Sequence, residues 1–162
     1  MQGLYAELVD IFVEEGGDLL DHADGLLAQL REAPEDREAM VGLQRDLHTL
    51  KGGARMAGIL PVGELGHAME TLLEAVAANR AELGSDGVPL LERGFDRLHG
   101  MITRVAARRA VGMPVGLIED FTARAEAPIP VAEAQDDGAR FVPAPAQKIE
   151  LTPLSAPIVL RA

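Results

Sequence analysis

Leu47-His48-Thr49-Leu50-Lys51-Gly52-Gly53-Ala54-Arg55-Met56-Ala57-Gly58 decides how this chain is read, because it fixes a helix, its buried face and a histidine on the opposite face. Met40, Leu43, Leu47, Leu50 and Ala54 recur three and four apart, so at about 100° per residue they form one apolar stripe. His48 falls roughly 130° from the middle of that stripe and is expected to face solvent. Val41, Gln44, Arg45, Lys51, Gly52 and Arg55 lie within about 60° of it on the same wheel. The histidine is thus ringed by cations, and Gly52 leaves one position without a side chain where a partner can approach closely.

Outward from this segment the same periodicity repeats. Leu4, Leu8, Ile11, Phe12, Leu19, Ala23, Leu26, Leu27 and Leu30 suggest a long first helix over about residues 3–32, with Gly16-Gly17 marking a kink or a close approach. Pro34, Glu35 and Asp36 read as the start of the second helix, which runs to about Ala57 and is closed by Gly58. Pro61 opens a third, carrying Leu65, Met69, Leu72 and Val76 and ending near Leu83-Gly84. Ser85, Asp86 and Pro89 begin a fourth, whose Val88, Leu91, Phe95, Leu98, Ile102 and Val105 lead to the basic end Arg108-Arg109. Four amphipathic helices joined by short loops imply an all-α, antiparallel up-down four-helix bundle over residues 1–112. Leu117, Ile118, Phe121 and Ala125 can form a short fifth helix within 113–126, and 127–162, rich in Ala and Pro without periodicity, reads as an extended or disordered linker.

Composition narrows the function classes. Aromatic residues are 3% of the 162, hydrophobic residues 48%, and there is no tryptophan, which favours a helical core over sheet. A net charge of −11 argues against nucleic-acid binding and against anionic membranes. The absence of cysteine excludes disulfides, cysteine-ligated zinc and thiol catalysis. No window approaches the roughly 18 apolar residues of a membrane span, and the amino terminus lacks a signal pattern, so the cytoplasm is the expected location. Neither a Gly-x-x-x-x-Gly-Lys-Ser/Thr loop nor the Asn and Asp-x-Gly-x-Gly boxes of a histidine-kinase ATP domain occurs. The expectation is a chain without an ATP site of its own.

His48-x-x-Lys51-Gly52 followed by Gly58 resembles the signature of histidine-containing phosphotransfer (HPt) domains. The whole run from His48 to Gly58 is most similar to the version in chemotaxis-type (CheA-like) kinases. Gly66-His67-Ala68-Met69-Glu70 is similar to the third-helix segment in which that subfamily places a His and a Glu, and Ile11-Phe12-Val13-Glu14-Glu15 to its opening pattern. The resemblance covers about residues 3–110. It implies phosphorylation of His48, with Glu70 accepting a hydrogen bond from the proton-bearing ring nitrogen and Lys51 and His67 placed to neutralise phosphoryl oxygens.

The chemistry is consistent with that implication. Imidazole, with a free pKa of about 6.5, is largely an unprotonated nucleophile near neutral pH. A carboxylate on one ring nitrogen fixes the tautomer and stabilises the charge that grows as phosphate arrives at the other. Gln44, Arg45, Gly52 and Arg55 form the expected docking face. The partners implied are a response-regulator receiver domain, whose acidic pocket complements the local cations, and a histidine-kinase ATP-binding domain. Mg2+ and ATP are expected on those partners only, with no metal on this chain, and the isolated domain is expected to be monomeric. Two other readings are a phosphorylation-independent docking module of the same fold and a metal-binding bundle using His48, His67 and Glu70. The second conflicts with the Glu-x-x-His order of di-metal bundles. His22 and His99 show no partner pattern and read as ordinary surface residues.

Overall fold

The computed structural model describes residues 2–127; Met1 and residues 128–162, which hold nearly all of the segment read above as a linker, lie outside the described residues. The described residues fold into five helices: α1 (Gln2–Glu32), α2 (Arg37–Met56), α3 (Leu60–Ala77), α4 (Gly84–Ala106) and α5 (Val115–Glu126). α1 packs on α2 and α4, and α3 packs on α2, α4 and α5. The first four helices therefore close an antiparallel ring, and α5 packs on α3. Phe121 and Ala125 are buried in the same core as the four-helix ring, so α5 is part of this packed unit.

The stripe that set the reading is the core: Leu43, Leu47 and Ala54 have no exposed surface, and Met40 and Leu50 are buried with them. Leu65, Met69, Leu72, Leu91, Phe95 and Leu98 from α3 and α4 close the other side. The expected stripe on α1 is partly corrected. Leu4 and Ile11 are exposed, while Val9, Phe12 and Leu20 enter the core. The apolar arc of α1 is wider than the seam it makes with α2 and α4, so part of it faces outward. Gly16 marks a close approach: a Cβ there would lie 2.8 Å from Ile102 Cδ1 of α4 and 3.3 Å from Leu50 Cδ1 of α2.

Three helix boundaries differ from the sequence reading, each for a reason in capping. α2 starts at Arg37 rather than at Pro34, because Asp36 is the N-cap and its carboxylate accepts the Ala39 N–H at 3.1 Å. α3 ends at Ala77, well before Leu83, where Asn79 turns into the left-handed region (φ 61°) and the Arg80 N–H bonds back to the Ala75 carbonyl at 2.8 Å. α4 stops at Ala106 rather than Arg109 in the same way, with Arg108 at φ 60° and the Arg109 N–H on the Arg104 carbonyl at 2.8 Å. These are the hydrogen bonds of a glycine-type C-terminal cap made by non-glycine residues. Among the described residues, no helix is long and apolar enough to cross a membrane.

Candidate functional site

The seam between α2 and α3 is built from small residues where it passes His48. A Cβ on Gly66 would touch Lys51 Cβ at 3.8 Å and the Leu47 carbonyl oxygen at 3.9 Å, and one on Gly63 would touch Arg55 Cγ at 3.4 Å. The α3 backbone therefore lies against the turn of α2 that carries the histidine. Glu70 is four residues beyond Gly66, on the same helix face, and its carboxylate enters this seam.

Here Glu70 meets two residues of α2. His48 Nδ1 lies 2.9 Å from Glu70 Oε2, and the Lys51 ammonium lies 2.7 Å from Oε1. Oε1 is fully buried and has no well-directed hydrogen bond, so its contact with Lys51 is chiefly an ion pair. The three side chains differ sharply in exposure: Glu70 is 7% exposed, Lys51 13% and His48 68%. The carboxylate and its counter-charge are thus held in the protein while the imidazole stands in solvent.

Burial pushes the Glu70 carboxyl up, but the close contacts and charges of Lys51 and His48 prevail and hold it below the ordinary carboxylate range. Glu70 is therefore an ionised acceptor at neutral pH. In the neutral imidazole the nitrogen facing an ionised carboxylate is the one that carries the proton, so Nδ1–H donates to Glu70 and the lone pair falls to Nε2. The arrangement turns one ring nitrogen to the buried carboxylate and leaves the other on an imidazole that is 68% exposed.

The remaining site residues fall on two flanks. Gly52 is exposed, and a Cβ there would meet nothing within 4 Å, so no internal packing demands a glycine at this position. Arg55 lays its stem over Gly63 on the α3 side. Arg45 is exposed toward the α1 side, and Gln44 is half-buried. His67 is exposed one turn before Glu70; its carbonyl accepts the Thr71 hydroxyl, and its ring has no hydrogen bond or ion pair among the described residues. Lys51, expected to face phosphoryl oxygens, instead has its ammonium on Glu70. No group of three or more acidic or histidine side chains able to hold a metal ion occurs among the described residues.

Two features escaped the sequence reading. Ile11 and Met56, 50% and 75% exposed, line an apolar groove between α1 and α2 that also includes Thr49, next to His48. The over-wide apolar arc of α1 was the available signal. His22 and His99 both have carboxylate partners, Asp46 and Asp24. These pairs span 24 and 75 residues, and helix periodicity alone cannot reveal them.

Comparison with known proteins places this geometry in a family. A model of the Hpt domain matches residues 7–108. The chain is 30% identical over 118 residues to the chemotaxis protein CheA of Halobacterium salinarum, covering 72% of this chain and 18% of that protein. It is 29% identical over 133 residues to the CheA of Rhizobium meliloti, covering 80% of this chain and 17% of that protein. The chain thus spans less than a fifth of the length of these relatives. Among solved structures, the phosphorylated P1 domain of CheA3 in complex with CheY6 from R. sphaeroides shares the fold. Its TM-score is 0.66 at 23% identity, over 74% of this chain and 95% of that one. The family match takes in both helices of the α2–α3 seam together with His48, Lys51 and Glu70, and the chain belongs to the Hpt domain family.

Proposed function

We propose that His48 Nε2 accepts a phosphoryl group and passes it to the aspartate of a response-regulator receiver domain, in a two-component relay of the chemotaxis type. The observation that carries this is the His48–Glu70 contact: the Nδ1 proton is held by a buried, ionised carboxylate while the ring stands in solvent. As the Nε2–phosphorus bond forms, the phosphorus–oxygen bond to the donor's leaving group breaks. The Nδ1 proton stays on the ring, where Glu70 stabilises the positive charge that develops. Lys51 acts through Glu70 by keeping it ionised and aimed.

The donor is the ATP-binding domain of a histidine kinase or a phosphorylated receiver, and ATP and Mg2+ belong to those partners. On this reading the chain is a phosphocarrier, working as a monomer in the cytoplasm and binding no metal. Exposed Gly52, Arg45 and Arg55, together with the apolar groove beside Thr49, provide the surface on which a receiver docks. The relation to CheA proteins and to a phosphorylated P1 domain bound to CheY6 supports this choice of partner.

The test is intact-mass analysis of the wild-type chain and His48→Gln after incubation with active kinase ATP domains and with phosphorylated receivers. An acid-labile gain of one phosphoryl group, absent in the variant, is expected. Receiver binding without uptake would instead identify a docking module, and equal uptake by His48→Gln would move the site to another residue.

A further inference from the structure

The bundle repeats the histidine–carboxylate arrangement at a second seam. His22 of α1 places Nδ1 2.6 Å from Oδ2 of Asp46 on α2, with the imidazole 64% exposed and the carboxylate 10% exposed. These values are close to those of His48 and Glu70, and they produce the same tautomer. In the neutral ring a carboxylate on Nδ1 places the proton there and the lone pair on Nε2, on an exposed imidazole. The groove that contains His22 is also lined by Arg37 and Arg45. Arg37 donates to the Ala77 carbonyl at 2.7 Å, whereas Arg45 has no ion pair among the described residues. Glu38 lines the same groove and partly offsets these cations.

We infer that His22 is a second phosphoryl-accepting histidine of this domain, open to small donors with a good leaving group. Two contrasts within the molecule carry the inference. His67 has no carboxylate on its ring, and the partner of His99, Asp24, is 53% exposed, so solvent screens that pair. Only His22 shares with His48 both a well-buried carboxylate and a largely exposed ring. With phosphoramidate as donor, the Nε2–phosphorus bond forms as the phosphorus–nitrogen bond breaks. Ammonia leaves, and the Nδ1 proton remains on the ring against Asp46. Arg45 and Arg37, which line the same groove, supply the cations for the incoming phosphoryl oxygens.

The experiment uses His48→Gln, so that it does not depend on the proposal for His48. The variant is incubated with phosphoramidate, and acid-labile phosphate is mapped by mass spectrometry under neutral conditions. One phosphoryl group at His22 is expected, at a rate at least about tenfold above His67 and His99, the scale of effect a positioning carboxylate has. Adding Asp46→Asn should bring the His22 rate down to theirs, with the helical circular-dichroism signal confirming that the bundle stays folded. Adding Arg45→Gln, an exposed change with no packing cost, should lower the rate at His22 alone. No label, label spread evenly over the three histidines, or a His22 rate indifferent to both added substitutions would overturn the inference.

Discussion

The seams on either side of α2 carry the same pair of groups in different settings. On the α3 side, His48 meets a glutamate whose second oxygen is closed off by a lysine ammonium. On the α1 side, His22 meets an aspartate that has no lysine or arginine ion pair among the described residues. Both pairs bury a carboxylate beneath an exposed imidazole, so that feature alone does not distinguish the phosphotransfer site. The cation does. Lys51 lets Glu70 stay ionised despite burial, and the small residues Gly63 and Gly66 bring α3 close enough for the three groups to meet. Gly52, by contrast, is exposed and side-chain-free outside the seam, and a Cβ there would meet nothing within 4 Å.

Several substitutions break or sharpen this comparison. The largest effect is expected for His48→Gln, which should reduce phosphoryl uptake from protein donors to background while leaving the thermal melt within about 0.5 kcal/mol of wild type, since an exposed ring contributes little packing. Glu70→Ala should slow uptake about 10–100-fold without abolishing it, the usual scale for losing a group that orients a histidine. An unchanged rate in a phosphotransfer assay would remove Glu70 from the mechanism. Lys51→Met leaves a buried carboxylate without its cation and should cost about 1–3 kcal/mol in urea unfolding.

The pH response follows from the same ion pair. Because the folded Glu70 carboxyl sits below its ordinary value of 4.5, its ionised form stabilises the fold above that pH, and this contribution is lost as pH falls through the folded value. Thermal melts between pH 5.5 and 3 should therefore show the stability gap between wild type and Glu70→Gln narrowing as pH drops. A constant gap would mean that ionisation of Glu70 does not support the seam. The smallest effect is expected for Gly52→Ala. Its Cβ meets nothing, so helix propensity alone should raise stability by up to about 1 kcal/mol. Transfer to a receiver should slow at the same time, as seen by receiver phosphorylation in stopped flow; stabilisation with unchanged transfer would show that partner access does not need a glycine.

How much of this was legible in the sequence depends on the distance over which each feature is written. The stripe Met40–Ala54 and the outward position of His48 follow from local periodicity, and both hold in the fold. The helix ends at Ala77 and Ala106 were not legible, because a search for glycine misses left-handed caps made by other residues, here Asn79 and Arg108. Pro34 was read as the start of α2 since proline favours a first turn, but Asp36 is the better cap and set the first helical residue three positions later, at Arg37. The Glu70–His48 pairing was available only through family resemblance. Its physical cause, the close approach at Gly66, depends on how α2 and α3 pack. His22–Asp46 had neither local pattern nor resemblance to announce it and emerged only from the register of α1 on α2.

The most direct test of the central claim is the position of the phosphoryl group on the ring. Proton–nitrogen correlation spectra of the phosphorylated chain, labelled at its histidines, should show phosphate on Nε2 of His48 with the Nδ1 proton retained. Phosphate on Nδ1, or a His48 ring left unmodified, would contradict the assignment of Glu70 as the holder of that proton.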